Sequence, residues 1–187
     1  MAKLTPFVML TALLVSACSN PEKTGRYLID APSVAASLPN RLGRVEIRDV
    51  SLPQYASGQE IAYQTPDGAL RSTPDNIWAD DQVRAVTQFL ATEIALQSGA
   101  QAIAEPWPFP ERPQRRVEVR IEKIIARADG MFELSGAYFV SNEAAQSGVS
   151  RRFDVREPLV GEGPAAIAAA QSRALQKLAG KIASLSE

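Results

Sequence analysis

The amino-acid sequence predicts a two-layer α+β domain, a mostly antiparallel sheet with two amphipathic helices packed on one of its faces. Three observations carry that reading. Several segments alternate apolar and polar residues with period two, as a strand does when one face is buried and the other meets water. Two longer segments, one after Trp78 and one after Pro164, change to spacings of three and four, the period of a helix with one apolar side. The order along the chain is strands, helix, strands, helix, and hairpins covered by two helices close into one layer of each kind.

A leader precedes the first element. Met1-Ala2-Lys3 carries a positive charge, an apolar run extends from Phe7 to Val15, and the small residues Ser16 and Ala17 follow, the order of a secretory signal. The apolar run is about half of the roughly 20 residues that a membrane-spanning helix needs. Val15, Ser16, Ala17 and Cys18 resemble the lipobox, the signal-peptidase recognition sequence of bacterial lipoproteins, a resemblance that implies cleavage before Cys18 and a lipid on its sulfur. Cys18 is the only cysteine, so no internal disulfide can form, and lipidation accounts for an odd thiol that simple secretion leaves exposed to oxidation. The expected division is residues 1–17 as cleaved signal, 18–26 as lipidated N-terminus and polar tether, and 27–187 as a single domain.

Within the domain, Tyr27-Leu28-Ile29 suggests a short strand and 31–41 a proline-containing loop. Val45 and Ile47 alternate with Arg44, Glu46 and Arg48, which predicts a half-buried strand ended by Pro53. Glu60 to Gln64, the turn residues Pro66-Asp67-Gly68 and Ala69 to Arg71 read as a hairpin. Val83, Val86, Leu90 and Ile94 mark the first helix, with Asp80 and Asp81 in its first turn and Gly99 as its stop. Glu105 to Pro110 holds three prolines and two aromatics, a loop that folds Trp107 over the core edge or offers it as a docking surface. Val117 to Ala126, the turn Asp129-Gly130, and Met131 to Val140 form a hairpin whose second strand has few charges and reads as buried on both faces. Val149, Phe153 and Val155 mark a last strand closed by Pro158. The second helix starts at Pro164, with Ile167, Ala174, Leu178 and Ile182 inward and Arg173, Lys177 and Lys181 on a solvated face. Gly180 weakens it unless it serves a close contact.

Composition narrows the function. The net charge is −1, and loss of Lys3 with the leader makes it −2, with no run of one sign, so the basic patch that nucleic acid demands is absent. The chain contains no histidine, which removes Ser-His-Asp triads, Cys-His pairs and histidine-containing zinc sites. Asp67, Asp75, Asp80 and Asp81 are the remaining raw material for catalysis, and turns and helix ends account for them more simply. No catalytic residue, metal or cofactor is expected apart from the covalent lipid.

Tyr27-Leu28, Arg44 to Tyr55, Gln59 to Tyr63 and Ile77-Trp78-Ala79-Asp80 together resemble the ABC-type transport auxiliary lipoprotein family, most specifically in the V-x-L-P-x-Y segment Val50 to Tyr55 and in Trp78 to Asp80. The resemblance implies a non-enzymatic subunit of an intermembrane lipid transport system. Such a subunit is anchored at the periplasmic face of the outer membrane and meets an MCE-domain protein that spans the periplasm from an inner-membrane complex. It also implies that copies can form a ring, and marks Leu52, Pro53, Tyr55, Trp78, Asp80 and Trp107 as family-motif or interaction residues. Ser19 after the lipidated cysteine resembles the outer-membrane sorting class. A structural lipoprotein that binds an outer-membrane protein, similar to lipopolysaccharide-assembly lipoproteins, fits the same small anchored domain.

Overall fold

The computed structural model describes residues 23–30, 38–142 and 145–185; the leader, with Val15, Ser16, Ala17 and Cys18, lies outside them. In chain order the elements are β1 (Gly25–Tyr27), β2 (Arg44–Ile47), β3 (Tyr63–Gln64), β4 (Leu70–Arg71), β5 (Asn76–Trp78), α1 (Gln82–Ser98), β6 (Gln101–Ala104), β7 (Arg115–Ala126), β8 (Met131–Asn142), β9 (Ser147–Pro158) and α2 (Gly163–Ala183). Both helices pack on one face of the main sheet, with α2 over β8 and β9 and α1 over β2 and β6. The α+β class and the two-helix layer are therefore as the sequence predicts.

Strand β7 is the axis of the sheet. Strict alternation puts Val117, Val119 and Ile121 on the helix side, where register aligns them with Val140, Tyr138 and Gly136 of β8. Strand β8 pairs antiparallel with β9, carrying the same inner layer on to Phe153 and Val155. The other edge of β7 is shared. Strand β2 takes its first three residues in parallel, Ser51 bridges to Arg120, and Tyr63 of β3 pairs with Ala126.

The sheet is more mixed than alternation alone indicated. Strand β2 is parallel to both β7 and β6, and β6 is an edge strand that the sequence reading did not anticipate. Parallel neighbours need a long crossover, and α1 lies within the one that joins β2 to β6. A separate two-stranded parallel sheet, β1 with β5, holds the N-terminal segment against the start of α1. The hairpin around Asp67 forms as β3 and β4, shorter than expected, while Glu60 only bridges to Ile77.

The helix ends follow their residue chemistry. Asp81 is the N-cap of α1, accepting from the Arg84 amide at 2.9 Å, and Asp80 lies one residue before it rather than in the first turn. Gly99 closes the helix at φ 68°, a left-handed position that costs glycine little. Gly180 has the close contact that excuses it: a Cβ there would lie 2.8 Å from Gln97 Oε1. The helices meet through buried amides as well as aliphatic groups. Gln171 donates to Gln82 at 2.9 Å, and Gln97 and Gln176 both donate to the Glu93 carboxylate. Arg173 and Lys177 are not merely solvated, because they lie 3.4 and 2.5 Å from the carboxylate of Glu157, buried on the inner side of β9. These ion pairs tie α2 to β9.

On the far side of the sheet the residues are mixed. Strand β8 is buried on its inner face and only partly on its outer one, where Ser135, Ala137 and Phe139 keep some exposure. Glu133 is the exception, 3% exposed between Lys123 at 3.1 Å and Arg127 at 2.7 Å. Burial works to raise its carboxyl pKa, but hydrogen bonds and charge from Lys123 and Arg127 outweigh it and hold the pKa below the usual glutamate value. Because the folded value is the lower one, this carboxyl contributes stability above the unfolded value of 4.5 and loses it as pH falls through the folded value. Thermal melts across that acid range should show Glu133→Gln with a shallower fall in stability than the native chain; parallel curves would contradict the assignment.

A bulge interrupts β7 between Ile121 and Lys123, and Gly136 faces it from β8. Its φ is 159°, and a Cβ would lie 2.1 Å from the Arg120 carbonyl oxygen. No side chain fits there without moving backbone. Gly136→Ala should cost about 2–4 kcal/mol, read as a fall of roughly 5–15 °C in Tm for a domain of this size.

Candidate functional site

The residues singled out in the sequence fall into three groups. The first runs along the shared edge of β7. The Val50 amide donates to Thr87 Oγ1 at 3.1 Å, and that hydroxyl donates to the Val83 carbonyl, which fastens the segment to α1. The Ser51 amide donates to the Val119 carbonyl at 3.0 Å, and the Ile121 amide returns a bond to the Ser51 carbonyl at 2.9 Å. Pro53 does not end β2, which stops at Ile47; it precedes a short 3-10 turn over Gln54–Ala56. That turn aims the Tyr55 hydroxyl at the Ile124 amide, 3.2 Å away, just past the bulge. Leu52 is half-buried against the core.

The second group stands at the start of α1. Trp78 is 6% exposed, and with Ala56 and Ile124 it lines a small void of about 10 Å³ inside the core. Tyr55 and Trp78 thus converge on Ile124 from two directions, one through its amide and one beside its side chain. Asp80 pairs with Arg84 one helical turn on, and that hydrogen bond holds its carboxyl below the usual aspartate range against a smaller opposing effect of desolvation.

The third group lies on the opposite face of the sheet. The loop after β6 crosses the outer side of β2, and the Trp107 amide donates to Glu46 Oε1 at 2.8 Å while Arg116 Nε donates to Oε2 at 2.8 Å. The strand read as half-solvated is therefore covered, and Glu46 is 8% exposed. Trp107 is half-buried, with its indole donating to the Glu111 carbonyl at 2.6 Å and its ring meeting Phe109 edge-on at 5.6 Å. Phe109 itself is 49% exposed. Trp107 thus covers the sheet and does not gather with Tyr55 or Trp78.

No catalytic constellation is assembled from the remaining aspartates. Asp67 orders its own hairpin through Thr65, Arg71 and the Ala69 amide, and Asp81 is a helix cap. Among the described residues no group of three acidic or sulfur ligands could hold a metal ion. Sequence reasoning missed Glu46, Glu93 and Glu157 as buried carboxylates. Glu46 meets donors 61 and 70 residues on, Glu93 meets Gln176 83 residues on besides Gln97 one helical turn away, and Glu157 meets a neighbouring helix; the distant pairings leave no local pattern.

Comparison with known proteins agrees with this geometry. The family model described as the ABC-type transport auxiliary lipoprotein component matches residues 27–183. The chain belongs to that family. It is 26% identical over 141 residues to the intermembrane transport lipoprotein PqiC of Escherichia coli K12, an alignment that covers 73% of each chain, and equally so to PqiC of Shigella flexneri. Its fold matches a crystal structure of a Xanthomonas campestris protein with TM-score 0.67 at 16% identity, over 84% of this chain and 92% of that one. A crystal structure of an uncharacterized protein matches with the same TM-score at 18% identity, over 80% and 94%. Within the family domain, the Val50 to Tyr55 and Trp78 segments occupy positions that close the core rather than face a ligand.

The Tyr55 hydroxyl satisfies an amide that is out of reach of β2 and β3. Tyr55→Phe should orphan that buried N–H and cost about 1–3 kcal/mol, measured by urea unfolding, with a native-like far-UV spectrum. An unchanged midpoint would show that the edge of β7 is held without it.

Proposed function

We propose that this chain is the outer-membrane-anchored periplasmic auxiliary subunit of an MCE-type intermembrane lipid transport system, where it docks the periplasm-spanning component. The observation that carries the reading is the family match over residues 27–183 directly behind a lipobox that ends on the only cysteine. The relatives of known name are intermembrane transport lipoproteins. No helix among the described residues is long and apolar enough to cross a membrane, so attachment falls to acyl chains on Cys18, of which two or more are needed for a stable hold. Ser19 supports sorting to the outer membrane.

The geometry supports a docking role over chemistry. The aspartates are spent on turns and caps, and the charged outer face of the sheet is laced with pairs such as Arg152 with Glu122 at 2.6 Å and Arg120 over the Phe139 ring at 4.9 Å. Fixed charge of this kind gives a contact with another protein its orientation through electrostatic complementarity.

Affinity purification of the membrane-bound lipoprotein in mild detergent, followed by mass spectrometry, should recover an MCE-domain protein with its inner-membrane complex. Recovery of an outer-membrane barrel instead, or of the lipoprotein alone, would overturn the assignment. Cys18→Ser should fold normally and move from the membrane to the soluble fraction; normal membrane fractionation would remove the anchor from the account.

A further inference from the structure

A groove of about 460 Å³ opens at the end of the sheet where β7 finishes, β8 begins and α2 starts. Ile61, Tyr63, Ala126, Leu159 and Ile167 supply an apolar trough, and the rim carries Arg127 and Glu162. Arg127 is already paired with Asp129 and Glu133, so the rim has no spare cation to select a free anion. What the groove can recognise is apolar shape, in the size range of small-ligand sites.

Its position says where such a ligand comes from. Thr73 and Asn76 form part of the wall, and Asn76 is the residue that Gly25 pairs with at the start of β1. The Gly25 amide donates to the Asp75 carbonyl at 2.7 Å, so the chain from the lipidated cysteine enters the fold beside the groove. Cys18 stands seven residues before Gly25, a reach of at most about 25 Å. The groove therefore lies at the end of the domain where the chain from Cys18 joins it, within the tether's reach of the anchoring membrane. The same end exposes Val160, 71% accessible in the turn next to Leu159, and Leu70 on β4.

We propose that this groove takes one acyl chain of a zwitterionic phospholipid from the membrane that holds the anchor. The inference deepens the transport reading and rests on its anchor at Cys18. The apolar trough accommodates the chain, the near-neutral rim tolerates a headgroup without net charge, and the short tether keeps the mouth at the bilayer surface. The auxiliary subunit then touches the transported class of molecule itself, in addition to docking a partner.

The test uses the full lipidated protein in vesicles of phosphatidylethanolamine doped with a phosphatidylethanolamine that carries a photoactivatable group at one chain end. Crosslinked residues are mapped by mass spectrometry. Label is expected within 61–64 and 159–167, and it should fall at least about tenfold when Ala166→Trp fills the trough. Leu159→Gln, which makes the trough polar without enlarging a buried side chain, should also reduce it, and thermal melts confirm that each variant is folded. Label confined to 18–26, Leu70 or Val160 would mean passing contact with the membrane and would overturn the proposal. So would an unlabelled groove, whether empty or occupied by the protein's own Cys18 chain, or equal labelling in both folded variants. If no MCE-domain protein is recovered, the transport reading fails while groove labelling stands; if the partner is recovered and the groove stays dark, only the groove proposal fails.

Discussion

The fold depends on how one edge of β7 is sealed. A strand of twelve residues buried in a sheet must satisfy its backbone groups along both edges, and β8 does this for one of them. The other edge has no single partner. Strand β2 is four residues long, β3 is two, and between them the bulge at Ile121 throws the ladder out of step. The segment Val50 to Tyr55 fills that interval. Ser51 exchanges two backbone bonds with Val119 and Ile121, and the Tyr55 hydroxyl accepts from Ile124 where no backbone can reach. Because Val50 is bonded to Thr87 on α1, the same segment sets the height of the first helix above the sheet. Helix α2 then packs against α1 through the Gln82–Gln171 and Glu93 amide contacts and against β9 through Glu157.

Much of this was legible in the sequence because the stabilising relations are local. The alternation of Val117, Val119 and Ile121, the Asp129-Gly130 turn and the three-four spacing from Val83 to Ile94 each report the environment of neighbouring residues. Strand β6 was not legible for the opposite reason. Gln-Ala-Ile-Ala has no alternation and little β preference, and it becomes a strand only because α1 delivers it alongside β2. Glu46 looked like a solvent-side residue since its strand alternates cleanly, yet a loop sixty residues downstream covers it and supplies one donor, and Arg116 of β7 supplies the other. Arg173 and Lys177 looked like a wet helix face because their shared carboxylate lies on another element.

The candidate site was legible in a different sense. Tyr55 and Trp78 identified the family, but their side chains turn toward Ile124 and the core, so what they report is how the domain is built. Structures with 16% and 18% identity reach a TM-score of 0.67, which is the behaviour expected when a fold rests on backbone exchanges and apolar volume that many sequences can supply. The residues most useful for recognising the family are thus poorly placed to contact a partner. The surfaces that the motifs leave outside are the charged outer face of β7 to β9 and the aromatic loop at Trp107 and Phe109.

The aromatic loop lies by Glu46 and Arg116 at the start of β7, and the groove by Ala126 at its end. The tether enters at β1, beside the turn that joins β9 to α2, whereas the long strands β7, β8 and β9 run about 36 Å from that end to the opposite one. The far end of these strands is therefore the part of the domain most distant from the point where β1 begins. Strands of that length, packed under two helices that are tied together by Gln82 and Gln171 and to β9 by Glu157, hold the two ends at a fixed separation.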